Sequence, residues 1–203
     1  MNQTMVIATH NSGKLKEFQT LLDGIKIKAI SLDGYHQEPP EETGSTFIEN
    51  AIIKARAACE LTGYPALADD SGLCIPELEY KPGVLSARYG NEQWSYSKKI
   101  QHLLDELKKN NIKQPNAFFY CAIVSMKSAN DPTPILATGS WHGKIAPKPR
   151  GEQGFGYDPI FLIPSENCTA AELEHTVKAR RSHRAKAFKT WLEHYSAKPY
   201  HLL

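Results

Sequence analysis

The 203-residue chain carries 24 Lys and Arg against 22 Asp and Glu, a formal net charge of +2, and 41% of it is hydrophobic and 23% charged. That is enough chain for one large domain or two small lobes around a real core, with the composition of an ordinary soluble globular protein. So small a net charge excludes bulk-charge recognition of nucleic acid or a membrane surface, and no run approaches the roughly 18 apolar residues of a membrane helix.

Residues 4–9, TMVIAT, read as a short buried strand. His10-Asn11-Ser12-Gly13 is turn chemistry. A helix is expected over 14–22, with Leu15, Phe18, Leu21 and Leu22 at helical spacing and Gly24 as its C-terminal stop. A second strand follows at 25–32, then an acidic, Pro-containing loop over 33–44. The clearest helix covers 46–62: Ile48, Ala51, Ile52, Ala55 and Cys59 make one apolar stripe, Asn50, Lys54 and Ala57 fall on another face, and Gly63 ends it. A strand at once follows, ending at Asp69. Beyond it come a Gly- and Pro-bearing loop (81–93), a charged amphipathic helix (95–109), and two β-rich runs, 116–126 and 135–145, joined at Asp131-Pro132. Residues 146–159 are loop-like. A helical region starts at 170–173, and a last helix is expected over 184–195. Alternating strands and helices plus an antiparallel pair, connected as a hairpin, predict an α/β fold with a mixed sheet.

The cysteines, Cys59, Cys74, Cys121 and Cys168, form no C-x-x-C pair, so a zinc site is not expected; reduced thiols in a cytosolic protein are the simplest reading. The opening MNQTMVIATHN shows no basic region followed by a long apolar stretch, so no secretory signal is expected and the location is read as cytoplasmic.

Five segments carry candidate chemistry. In "ALADDSGL" an apolar run leads into Asp69 and Asp70; two ionised carboxylates at a buried strand end need compensation, and a divalent cation supplies it. An exposed strand-to-turn junction with Asp as a cap fits that segment as well. Glu38, Glu41 and Glu42 precede the 46–62 helix, where acids favour the helix dipole and Ser45 or Thr46 caps, or where one of them completes a metal site with Asp70. In "THNSGK", residues 9–14, a strand enters a Gly-containing turn and a helix headed by Lys14, a geometry suited to a phosphate although no GxxxxGK[ST] pattern exists. "GEQGFGYDPIF", residues 151–161, places Phe155 and Tyr157 among glycines, either to stack on a base or to fold back into the core. "VKARRSHRAKAFK", residues 177–189, has six Lys and Arg around His183; Ser182 can cap the last helix and aim His183 and Arg184 at what lies before it.

Taken in order, "THNSGK", "EETGSTFIENAIIKA", "ADDSGL", "PGVLSARY", "GFGYDPIF" and "SHR" resemble the inosine triphosphate pyrophosphatase family, from about residue 5 to about residue 192. The resemblance implies Mg²⁺-dependent hydrolysis of non-standard purine nucleoside triphosphates (ITP, dITP, XTP) to monophosphate and pyrophosphate. It implies a homodimer of a single 1–203 domain, with an elongated mixed sheet and two lobes about a central cleft. Matched onto this chain, Asp70 is the catalytic proton acceptor and a metal ligand, and Glu41 the second metal ligand. Thr9, His10, Asn11, Ser12, Gly13, Lys14, Ser71, Phe155, Gly156, Tyr157, Asp158, Lys178, His183 and Arg184 match substrate-binding positions. The chain departs from the family where His175-Thr176-Val177 replaces an acid-rich stretch before Lys178, where Arg181 precedes Ser182, and where His10 replaces a glycine. Competing readings are a septum-inhibitor type nucleotide pyrophosphatase, a nucleotide sensor without turnover, and a nucleic-acid module using 178–189.

Overall fold

The computed structural model describes residues 3–9, 11–22, 25, 27–35 and 38–197. His10, matched above to a substrate-binding position, and Gly24, the expected helix stop, therefore lie outside the described residues. Strands β1 (Gln3–Ile7), β2 (Ile27–Ser31), β3 (Ala66–Cys74), β4 (Asn116–Met126), β5 (Ile135–Ile145), β6 (Phe161–Ile163) and β7 (Cys168–Thr169) hydrogen-bond in the order β2-β1-β3-β4-β5-β6-β7. β1 runs parallel to both β2 and β3, whereas β6 is antiparallel to β5 and to β7. The sheet is mixed and the fold α/β, as the alternation of elements predicts.

Five α-helices accompany the strands among the described residues: α1 (Ser12–Leu22), α2 (Phe47–Thr62), α3 (Tyr96–Lys109), α4 (His175–Arg181) and α5 (His183–Ala197). The ends of α2 are written in its residues. Thr46 Oγ1 accepts the Glu49 N–H at 3.2 Å and the Glu49 carboxylate accepts the Thr46 N–H at 2.8 Å, a reciprocal capping box. Gly63 closes the helix at φ 70°, which a residue without Cβ adopts freely. In α3, Ser95 caps the N-terminus and Ile100, Leu103 and Leu107 form the buried stripe.

The chain divides into two compact units. The first is Met1–Asp70, Cys121–Gly139 and Arg184–Leu203; the second is Ser71–Tyr120 and Ser140–His183. The core of the first packs Met5, Ile7 and Leu67 with Phe18 and Leu22 of α1 and Phe188 and Trp191 of α5. Trp191 is fully buried, and its indole N–H donates to Ser125 Oγ at 2.8 Å, so its polar end is satisfied. The core of the second gathers Leu73, Ile75, Ile100, Leu103, Phe119, Trp141 and Phe161.

Candidate active site

The strand expected to stop at Asp69 continues to Cys74, so Asp69 and Asp70 lie in the middle of β3 rather than at its end. A buried carboxylate does not interrupt a strand, because the ladder is made by backbone groups. It must only be compensated on the face it occupies. Neighbouring strand residues point to opposite faces, and the partners of the two acids differ accordingly.

Asp69 is turned towards α1 and α5, with its side chain wholly buried. Its Oδ2 meets Lys14 Nζ at 3.0 Å, Arg184 Nη2 at 3.2 Å and Nε at 3.4 Å, and the Cys121 thiol at 3.8 Å. Arg184 Nη1 also binds the Glu17 carboxylate. Burial opposes ionisation of Asp69, but Lys14, Arg184 and Lys54 outweigh it and hold the carboxyl well below the usual carboxylate range. Its Oδ1 is buried with no hydrogen-bond partner among the described residues.

Asp70 is turned towards α2. Its Oδ1 accepts from Lys54 Nζ at 2.8 Å and its Oδ2 from Asn50 Nδ2 at 3.3 Å. Lys54 Nζ equally reaches Glu42 Oε1 at 2.8 Å, so one ammonium bridges β3 and the segment before α2. Asn50 and Lys54 sit four apart and so share one helix face. Here burial wins: it pushes the Asp70 carboxyl up against the pull of Lys54 and Lys14, with Glu42 adding to the rise. Burial works to lower Lys54, yet Asp70, Asp69 and Glu42 leave it raised and firmly protonated.

At the head of α1, Thr9 Oγ1 accepts the Asn11 N–H, and Asn11 Oδ1 accepts the N–H groups of Gly13 (2.9 Å) and Lys14 (3.1 Å). Two amides of the expected phosphate cradle are thus engaged by Asn11, leaving the Lys14 ammonium as its charged element. Ser12 is exposed, and Ser71 is half-buried.

In the second unit, Asp158 Oδ2 binds Lys178 Nζ at 2.5 Å and the Phe155 N–H at 2.8 Å, and the Lys178 ammonium lies 4.7 Å from the Phe155 ring centroid. Tyr157 follows the second of its two readings. It is buried, donates its hydroxyl to the Ser86 carbonyl at 3.0 Å and meets Tyr96 edge-on. His183 stacks on Phe119 with ring centroids 4.9 Å apart. Gly154 and Gly156 hold φ of 79° and 68°. A Cβ on Gly154 would stand 2.1 Å from Asp158 Oδ2. Gly154→Ala is therefore expected to cost about 1–3 kcal/mol in denaturant unfolding through left-handed strain, besides displacing the Lys178–Asp158 pair.

Glu41 is exposed, and its carbonyl accepts the Thr43 N–H at 3.1 Å; the neighbouring Glu42, not Glu41, is the acid drawn to Lys54. No group of three or more His, Cys, Asp and Glu side chains converges on a cation position among the described residues. Mg²⁺ does not require such a cage, since it takes one or two carboxylates together with waters and substrate phosphates. Asp70, raised by burial and next to a second acid, offers the hard oxygen donors that suit this ion, with Glu41 and Glu42 on the adjoining segment.

The sequence motifs offer Glu42 only as one of three acids before α2 and assign no role to Glu17, Asn50 or Lys54. A signal exists for the last two: polar residues at helical spacing on α2 beside small apolar ones, which is unusual for a solvent face. Glu17 carries none, since its pairing with Arg184 across the fold leaves no local pattern.

Comparison with known proteins agrees with the motif resemblance. The Ham1 family model matches residues 5–194. A dITP/XTP pyrophosphatase of Shigella flexneri is 47% identical over 94% of this chain and 97% of its own length, and one of Coxiella burnetii is 49% identical over 90% and 92%. A HAM1 protein from Coxiella burnetii superposes with a TM-score of 0.90 at 45% identity, covering 97% of this chain and all of that one. The Staphylococcus aureus Ham1 protein gives 0.83 at 35% identity, again over 97% of this chain. Matched over nearly all its length in sequence and in fold, the chain belongs to the Ham1 family.

Proposed function

We propose that the chain is a nucleoside triphosphate pyrophosphatase that hydrolyses dITP, XTP and ITP to the monophosphate and pyrophosphate. We propose further that it works as a cytoplasmic, Mg²⁺-dependent homodimer. The observation that carries this reading is Asp70: a buried carboxylate on a rigid strand, held between Lys54 and Asn50 beside an acidic segment. The relatives named dITP/XTP pyrophosphatase supply the substrate class.

In this proposal Asp70 orients a water and takes its proton as the water oxygen bonds to the α-phosphorus. The bond from that phosphorus to the bridging oxygen breaks, and pyrophosphate leaves with the electron pair. Burial suits Asp70 to the task, because a carboxylate with a raised pKa is the stronger base. Lys54 keeps it ionised between turnovers. Lys14, whose side chain keeps 15% of its surface exposed, offers its ammonium to phosphate oxygens while Asp69 holds it in place. When bound, Mg²⁺, with Asp70 and Glu41 as its proposed ligands, supplies countercharge to those oxygens.

Thr9, His10, Asn11, Ser12, Gly13, Ser71, Phe155, Gly156, Asp158, Lys178 and His183 are the other proposed substrate contacts. Tyr157 enters through its backbone, its ring being spent in the core. Hypoxanthine and xanthine share a 6-keto oxygen, which accepts from hydrogen-bond donors and which adenine's amino group, itself a donor, cannot replace. Arg184, 1% exposed and tied to Glu17 and Asp69, is also among the proposed substrate-binding positions, and its guanidinium holds Asp69 in place.

Pyrophosphate release from ITP, XTP, dITP, GTP and ATP, with Mg²⁺ and with EDTA, tests the reading. Fast release from the first three, abolished by EDTA and weak with GTP and ATP, is expected. Binding of ITP without cleavage of any nucleotide would make the protein a sensor instead.

A further inference from the structure

Asn50 is fully buried in α2, a place where a carboxamide must satisfy its hydrogen bonds or cost stability. Its Oδ1 accepts the Gly44 N–H at 2.8 Å, and its Nδ2 donates to Asp70 Oδ2 at 3.3 Å. Only one orientation of the carboxamide serves both neighbours, since a backbone N–H is a donor and an ionised carboxylate accepts only. Gly44 closes the acidic segment that carries Glu41 and Glu42. It comes so near that a Cβ there would lie 2.6 Å from Asn50 Oδ1 and 2.6 Å from the Glu49 Cβ. The approach is thus reserved for glycine, and the hydrogen bond depends on it.

From this we infer that Asn50 is a positioning residue for the reaction: its carboxamide fixes the end of the acidic segment and the Asp70 carboxylate against each other. One turn further on, Lys54 joins Glu42 to Asp70 by charge, but an ammonium on a flexible stem sets distance and not direction. The planar amide of Asn50 supplies the direction. It leaves Asp70 Oδ1 with Lys54 and fixes which lone pairs of the carboxylate face a water. The inference rests on the proposed role of Asp70.

Two substitutions separate this from a structural role. Asn50→Ala removes both bonds. Asn50→Asp keeps an acceptor for Gly44 but turns the donor facing Asp70 into an acceptor. Both variants are expected to lose about tenfold or more in kcat with dITP, the order of one misplaced hydrogen bond at a catalytic group. Hydrogen exchange at the Gly44 amide, followed by NMR in the same samples, should quicken in Asn50→Ala and stay slow in Asn50→Asp. Wild-type kcat in Asn50→Asp would overturn the inference, because holding the segment alone would then suffice. A third sample, Asp70→Ala with Asn50 intact, should also quicken exchange at Gly44; unchanged protection there would overturn the link even if neither Asn50 variant folds. Absence of turnover in the wild type would refute the proposed function, while the exchange measurements would still decide the link.

Discussion

Asp70→Asn is expected to lower kcat for dITP by about 10²–10⁴, the usual contribution of a positioned general base, with KM changed far less. The substitution keeps the shape of the side chain, and Lys54 retains Glu42 as a partner. Stability should not fall. Burial raises the Asp70 carboxyl, so its ionised form is tolerated rather than sought by the fold. A folded pKa above the unfolded value means the charge costs stability once the pH exceeds that range, and removing it returns that cost. A melting temperature equal to or above wild type, together with lost turnover, marks a residue kept for chemistry. A kcat within tenfold of wild type would remove Asp70 from its proposed catalytic role.

The adjacent substitution should behave in the opposite way. Asp69→Asn leaves Arg184 and Lys14 facing a neutral amide in a buried setting. Breaking such an arrangement costs about 3–5 kcal/mol, or roughly 6–20 °C in melting temperature for a chain of this length. The pH dependence identifies the cause. The folded carboxyl is held below its unfolded value by Lys14 and Arg184 despite burial. Its stabilisation is therefore complete above the unfolded pKa, near 4, and fades as the pH falls through the lower folded value. The gap in stability between wild type and Asp69→Asn should be widest at neutral pH and close below about pH 4. Denaturant unfolding at several pH values measures it; a gap independent of pH would mean that packing, not charge, is lost.

Much of the frame is legible in local pattern. The runs at 116–126 and 135–145 match β4 and β5 end for end: the first is a nearly continuous apolar and aromatic run, and the second buries alternate residues along much of its length, with turn residues between the two. β6 and β7 leave no such mark. With three and two residues they have no period of their own, and they exist through pairing with β5 and with each other. The end of β3 is hidden because acids inside a buried strand contradict its apolar pattern, and their compensation comes from side chains on α1, α2 and α5 that the strand's own pattern does not show. The same cause hides part of the site. Lys14 and Asp70 announce themselves through motif order, whereas Glu17 matters only by whom it meets across the fold.

The alternation along β3 also governs what natural variation the gene tolerates. Inserting or deleting a single codon between 66 and 69 would shift the strand's phase by half a period. Asp70 would then face the α1 and α5 cations and Asp69 would exchange environments with it. Unlike a loop, where indels drift freely, this stretch should hold its length across lineages, changing letters but not count.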